Sequence, residues 1–159
     1  MIPPFSPAVD VVGRYTGTGN DGPAGARYRE GLERLFSDGS DSAGLYDRAV
    51  HAEHPGGVTA HGRDAAAGWW ERLRRAFPDA TFTVHHQIGR DDPGLGERGA
   101  LRWSLDGVHD GDGMFGPATG AAVHVMGLSH AEFGPWGLRR EYVLIDETAI
   151  WKQILLATG

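Results

Sequence analysis

Alternating apolar and polar residues mark the second half of this chain as a series of strands. Over residues 101–106 every second residue is apolar, which is the period of a strand with one buried face. In the next predicted strand one face carries Val123, Val125, Gly127 and Ser129, and in the last one face carries Glu141, Val143 and Ile145. Glycines and a proline interrupt residues 111–120, so we expect a hairpin connection there.

The first half carries helical periodicity instead. Apolar residues recur at three- and four-residue steps over 28–36 and over 66–77, which predicts two amphipathic helices. Gly39 and Pro78 end these segments. Asp64 is the predicted start of the second helix, because its carboxylate can accept from the free amides of the first turn.

Shorter segments complete the pattern. Strands are predicted over 49–54 and over 81–88, the second with Phe82, Val84, His86 and Ile88 on one face, and residues 148–157 predict a closing helix or an extended tail. Helices come early and consecutive strands come late, so the predicted class is α+β with a curved, mostly antiparallel sheet. We expect an N-terminal arm over 1–26 and a single domain over 27–159.

The composition of the chain excludes several kinds of partner and several kinds of functional site. The net charge of −6 and the scattered arginines argue against a nucleic-acid surface. The chain has no cysteine, which excludes disulfides, thiolate nucleophiles and cysteine-ligated zinc. No histidine pair has the spacing of a helical metal site, so no metal is expected. The sequence shows neither a signal peptide nor an apolar stretch of membrane-spanning length, which predicts a cytoplasmic protein with no membrane partner.

Several runs resemble SnoaL-like proteins of the nuclear transport factor 2-like superfamily, whose members include polyketide cyclases, limonene epoxide hydrolase and ketosteroid isomerase. The runs are LYDRAVHAEHPGG, HGRDAAAGWWERLRRAFPDATFTVHH, RWSLDGVH, GPATG, VMGLSH and REYVLIDETAIWKQI. The resemblance extends from about Arg27 onward. It implies a cone-shaped fold with N-terminal helices packed on the sheet, a hydrophobic small-molecule substrate, no cofactor and a homodimer.

His54 is the first candidate for proton transfer. In the ketosteroid isomerase pattern the residue before the matching proline is the general base, and His54 stands there in this chain. Imidazole, with an ordinary pKa of about 6.5, can give or take a proton near neutrality. Val50 and Ala52 share its face of the strand, whereas His51 and Glu53 are expected in solvent. The alternative is a hydrogen-bonded histidine at a strand end.

Ser129 and Glu141 complete the catalytic candidates. Ser129 falls where the isomerase pattern places a second, protonated acid, and its hydroxyl could donate to an oxyanion. The alternative is a small residue that leaves room for a ligand. Glu141 lies on an otherwise apolar face, where a carboxylate holds a proton or has a buried partner, which makes it the acid candidate of the second half. The alternative there is a salt bridge with Arg139 or Arg102.

Six further side chains are predicted to contact the substrate. Three indoles match positions that line the isomerase cavity, and their alternative is plain core packing. Two aliphatic residues share the face of Glu141, and one histidine is expected at the rim. The six are Trp69, Trp70, Trp103, Val143, Ile145 and His109.

Val143 separates the functional hypotheses. SnoaL-like cyclases and limonene epoxide hydrolase carry a catalytic aspartate at the matching position, and valine cannot transfer protons. The first hypothesis is an acid–base enzyme that cyclises, isomerises or dehydrates a hydrophobic small molecule. The second is a non-catalytic small-molecule-binding or accessory module of the same fold. A third, a pure scaffold, predicts a pocket filled by the protein's own side chains.

Overall fold

The computed structural model describes residues 19–39 and 42–159. Within those ranges the chain forms three α-helices and one six-stranded sheet. The helices are α1 (Pro23–Asp38), α2 (Arg63–Ala76) and α3 (Glu147–Thr158). The strands are β1 (Tyr46–His54), β2 (Val58–His61), β3 (Thr81–Asp92), β4 (Gly96–Val108), β5 (Ala122–Gly134) and β6 (Gly137–Ile145). None of these three helices is both long and apolar enough to cross a membrane.

The sheet has the strand order β2-β1-β6-β5-β4-β3. Every neighbouring pair is antiparallel except β1 and β6, which run parallel. This confirms the predicted α+β class. The parallel pair brings the first strand, β1, beside the last, β6, and places Ala52 opposite Glu141. The antiparallel pairing of β5 with β6 places Ser129 opposite Val143.

Helices α1 and α2 cover one face of the sheet. Helix α1 packs against β3 and β4, while α2 packs against β1 and β2. Their apolar stripes are buried as the periodicity predicts, from Tyr28 to Phe36 and from Ala66 to Phe77. We call the covered side the inner face and the opposite side the outer face.

The prediction that Phe82, Val84, His86 and Ile88 share one face is wrong. A register shift lies between Val84 and His86 in the pairing of β3 with β4. A bulge of one residue inverts the alternation that follows it. Phe82 and Val84 therefore pack against the core, whereas His86 and Ile88 line a groove on the outer face.

The predicted helix start at Asp64 is also displaced. Helix α2 begins at Arg63, its N-cap is Gly62 with φ 83°, and no side chain caps it. Glycine suits the turn out of β2 because it adopts positive φ without strain. The predicted arm over 1–26 falls mostly on residues 1–18, which lie outside the described residues, and α1 already begins at Pro23.

Close packing of β5 against Trp103 fixes one wall of the inner face. A Cβ at position 127 would lie 2.2 Å from Cζ2 of the Trp103 indole, so only glycine lets the ring lie against the strand. The indole then sits beside Ser129, two residues further along β5, and brings its N–H within 3.3 Å of the serine Oγ.

Candidate active site

A buried carboxylate lies at the centre of the inner face. The Glu141 side chain has no solvent exposure. Its Oε1 accepts a hydrogen bond from the Tyr28 hydroxyl at 2.7 Å, and its Oε2 accepts one from the Tyr46 hydroxyl at 2.8 Å. The indole Nε1 of Trp70 lies 3.2 Å from both oxygens and donates to them. These donors come from α1, β1 and α2, so the contact joins both helices to the sheet.

His54 joins this group from the end of β1. Its side chain is fully buried, and its Nε2 lies 3.4 Å from Oε2 of Glu141. The imidazole stacks on Trp69, with ring centroids 4.9 Å apart and planes 9° from parallel. The other ring nitrogen, Nδ1, is buried and has no hydrogen-bond partner among the described residues.

The donor pattern assigns the protons. Three N–H and O–H groups converge on the Glu141 carboxyl, an arrangement that suits its ionised, acceptor-only form. Nε2 of His54 then donates to Oε2, because two acceptors would repel each other at this position. In a neutral imidazole the lone pair therefore lies on Nδ1. An ionised Glu141 at this position can orient His54 and stabilise the positive charge of its imidazolium form.

Both tyrosines remain donors over a wide pH range. Burial raises the pKa of Tyr28 well above its usual 10, and the neighbouring Glu141 charge raises it further. Burial likewise raises the pKa of Tyr46, with a second contribution from Glu141. The Ser129 hydroxyl lowers the pKa of Tyr28, but by less than burial and the Glu141 charge raise it. The predicted site residues Ser129 and Trp103 contact each other, with the indole N–H donating to the serine Oγ.

The space directly around the carboxylate is filled. Aromatic side chains occupy the hydrogen-bonding positions of Glu141, and neither Glu141 nor His54 touches solvent in this conformation. Nor does any group of three or more His, Asp or Glu in the described ranges have metal-binding geometry. The site is therefore closed, and a ligand reaches Nδ1 of His54 only after a neighbouring group moves.

Comparison with known proteins identifies the family. Residues 27–138 match the model of the SnoaL-like domain, which is more than two thirds of the chain. The chain belongs to the SnoaL-like family. A search of curated protein sequences gave no match.

Solved structures share the fold of this SnoaL-like protein at low sequence identity. A proposed SnoaL-like polyketide cyclase from Jannaschia sp. CCS1 is 17% identical with a TM-score of 0.66, over 85% of this chain and 96% of that one. IdmH, a proposed polyketide cyclase from Streptomyces antibioticus, is 21% identical with a TM-score of 0.60, over 81% and 96%. AclR, a proposed hydroxylase from Streptomyces galilaeus, is 18% identical with a TM-score of 0.67, over 82% and 80%. These likenesses confirm the nuclear transport factor 2-like fold.

The ion pairs considered for Glu141 do not form in the SnoaL-like structure. Arg139 lies instead 3.5 Å from Asp47, and Arg102 lines the groove on the outer face. The alternation of β4 turns Arg102 away from Leu101 and Trp103, which face inward. A register irregularity in the β5–β6 pairing leaves Arg139 without a cross-strand partner, so it too turns outward.

The expectation that His109 lies at an open rim is wrong. Its ring is fully buried between Phe77 and Phe115 at the end of β4, and Nδ1 lies 2.9 Å from the Thr119 hydroxyl. The loop after β4 folds back over it, because the His109 carbonyl accepts from the amides of Thr119 and Gly120. Of the two aliphatic candidates, Val143 is buried on the inner face and Ile145 is half-buried beside Gly127.

The two tyrosines were not among the residues that the sequence singled out. Tyr28 fits the apolar stripe of its helix, and Tyr46 precedes the strand predicted over 49–54. A buried tyrosine hydroxyl needs a hydrogen-bond partner. A glutamate on an apolar strand face in turn needs hydrogen-bond donors. Looking for a buried hydroxyl that could donate to Glu141 could therefore have identified Tyr28 and Tyr46 from the sequence.

Alkaline pH should destabilise the protein through these tyrosines. Each has a pKa raised above the unfolded value of about 10, so the unfolded chain loses its proton first. Their contribution to stability is full below pH 10 and falls as the pH rises above it, by up to about 1.4 kcal/mol per pH unit for each tyrosine. Urea unfolding followed between about pH 8 and pH 11 should therefore show a shallower decline for Tyr46→Phe than for wild type.

Trp136→Phe is the control, since Trp136 is 80% exposed in the turn between β5 and β6 and carries no titratable group. Its unfolding free energy should decline with pH as steeply as that of wild type. If the unfolding free energy of Tyr46→Phe declined with pH as steeply as that of wild type, the Tyr46 hydroxyl would not be in contact with a buried charge.

Proposed function

We propose that this SnoaL-like protein is a cofactor-independent acid–base enzyme that acts on a hydrophobic small molecule. One observation carries the proposal: His54 is buried, its Nε2 faces the Glu141 carboxylate, and its Nδ1 has no partner among the described residues. A histidine held through one nitrogen by a carboxylate, with the other nitrogen free, has the arrangement of a general base.

The chemistry follows from the proton assignment. Nδ1 of His54 takes a proton from an acidic C–H or O–H of the substrate, and the Glu141 carboxylate stabilises the imidazolium that forms. The imidazolium then returns the proton to another atom of the substrate, which balances an isomerisation, or to a leaving hydroxyl, which completes a dehydration. In a cyclisation, the enolate left by the first step attacks a carbonyl carbon of the same molecule, a C–C bond forms as the C=O π bond breaks, and the resulting alkoxide takes the proton from the imidazolium. Glu141 stays ionised throughout.

The aromatic surroundings suggest the substrate class. Trp69 stacks face to face on His54, and Trp70 and Trp103 lie nearby with centroids 5.5 Å apart. A flat ring that displaced the Trp69 indole would make the same stacking contact with the imidazole. Several proteins of this fold are proposed polyketide cyclases, so aromatic and polycyclic polyketide intermediates are the first compounds to test.

His54→Gln should abolish most proton transfer while leaving the fold intact. A well-placed general base contributes roughly 10²–10⁴-fold in rate, so the variant should lose about that factor. The measurement is deuterium incorporation from D₂O into the acidic C–H of candidate ketones, followed by NMR, beside turnover of the same panel. This readout detects proton abstraction even where the complete reaction is unknown.

His51→Gln supplies the control. His51 lies on the same strand but faces away, where its Nε2 is 2.7 Å from Glu53 in a half-exposed pair. The rate of deuterium incorporation with His51→Gln should equal that with the wild-type protein. Exchange that survives in His54→Gln would remove His54 from the mechanism.

The non-catalytic binding module remains the second candidate. The filled space around Glu141 is what the scaffold hypothesis predicts. The binding module is favoured instead by Val143, which stands where the family resemblance places a catalytic aspartate. This candidate predicts ligand binding without deuterium exchange in wild type. The same panel therefore separates the two functions.

We also propose a homodimer formed through the outer face. Three exposed apolar side chains, Met126, Leu128 and Leu144, lie on neighbouring strands of that face and are 57%, 52% and 67% exposed. Beside them an apolar groove of about 310 Å³ includes Ile88 and Tyr142 in its lining. Contiguous apolar surface of this kind is typical of protein interfaces.

Leu128→Glu should convert the dimer to a monomer, because it places a charge on each side of a two-fold interface. Sedimentation velocity at micromolar concentration measures the change. Leu95→Glu is the control: Leu95 is 68% exposed in the β3–β4 turn, away from the groove, and its variant should remain dimeric. A wild-type protein that sediments only as a monomer would contradict the proposal.

A further inference from the structure

We propose that Tyr28 and Tyr46 are positioning residues that hold Glu141 as an anion and thereby set how readily His54 takes up a proton. The inference deepens the proposed function, and it rests on that function only for its consequence in turnover. The contacts that carry it are the two short hydrogen bonds, one to each oxygen of the carboxylate.

Counting charges gives the direction of the effect. With Nδ1 of His54 free, the His54–Glu141 pair carries a net charge of −1, and after proton uptake it is neutral. A hydroxyl that donates to the carboxylate stabilises the charged pair more than the neutral one. Each tyrosine therefore lowers the pH at which the pair takes up a proton. The result holds whether the added proton resides on the imidazole or on the carboxyl.

The geometry is that of a dedicated donor set. Tyr28 and Tyr46 come from different elements, 113 and 95 residues before Glu141 in the chain, and each meets a different oxygen. Phenylalanine would fill the same space, so the hydroxyls serve the carboxylate and not the packing.

Other charged groups do not take part in this contact. Within the described ranges, the titratable groups in contact with the pair are Tyr28 from α1 and Tyr46 from β1. Helix α2 contributes Trp69 and Trp70, which do not titrate. The salt bridges of the described residues bring neither arginine nor lysine to Glu141. The tyrosine hydroxyls are therefore the groups that tune the pair.

The test is an NMR titration of the His54 imidazole, with its resonance assigned by its loss in His54→Gln. Removal of one donor to the carboxylate should move the His54 titration to higher pH by about one unit in Tyr46→Phe. Tyr28→Phe is the second variant and should shift it in the same direction. Trp136→Phe, in the exposed turn between β5 and β6, should leave it unchanged.

The outcomes distinguish this inference from the proposed function. A shift to higher pH in Tyr46→Phe and Tyr28→Phe supports the positioning role, even if no substrate is ever turned over. An unchanged titration in both folded variants, or a shift to lower pH, overturns it, even if His54→Gln abolishes catalysis. Should either variant fail to fold, the other decides the result.

Discussion

The Glu141 carboxylate and its donors are the contact on which the inner face of this protein depends. An ionised carboxylate loses several kcal/mol of hydration on burial even after the protein relaxes around it, and only hydrogen bonds can offset that loss. Tyr28, Tyr46, Trp70 and His54 supply them from two helices and a strand. Because no single element provides all four, the carboxylate fixes how the helices sit on the sheet and how His54 is aimed.

The two faces of the sheet carry different kinds of side chain. Alternation along β5 and β6 sends Ser129, Glu141 and Val143 inward, and sends Leu128 and Leu144 outward. The inner face therefore concentrates buried polar groups and indoles, whereas the outer face exposes apolar surface. One strand pattern thus provides both a candidate proton-transfer site and a candidate surface for a second copy.

Strand alternation and helical periodicity were sufficient to predict the parts of the site that depend on a single element. They placed Glu141 and Ser129 inward, and the family resemblance singled out His54. Neither could show that Tyr28 and Tyr46 meet Glu141, because those contacts span about a hundred residues and leave no local pattern. The bulge before His86 and the loop that buries His109 were missed for a related reason, since both are set by packing between elements rather than by local periodicity.

The central claim is that Glu141 is ionised inside the protein. Infrared difference spectroscopy between wild type and Glu141→Gln at neutral pH tests it directly, with Glu132→Gln as a reference for a glutamate on the outer face. The account predicts that the difference spectrum contains the loss of a carboxylate stretch. Loss of the carbonyl stretch of a protonated carboxylic acid would contradict it.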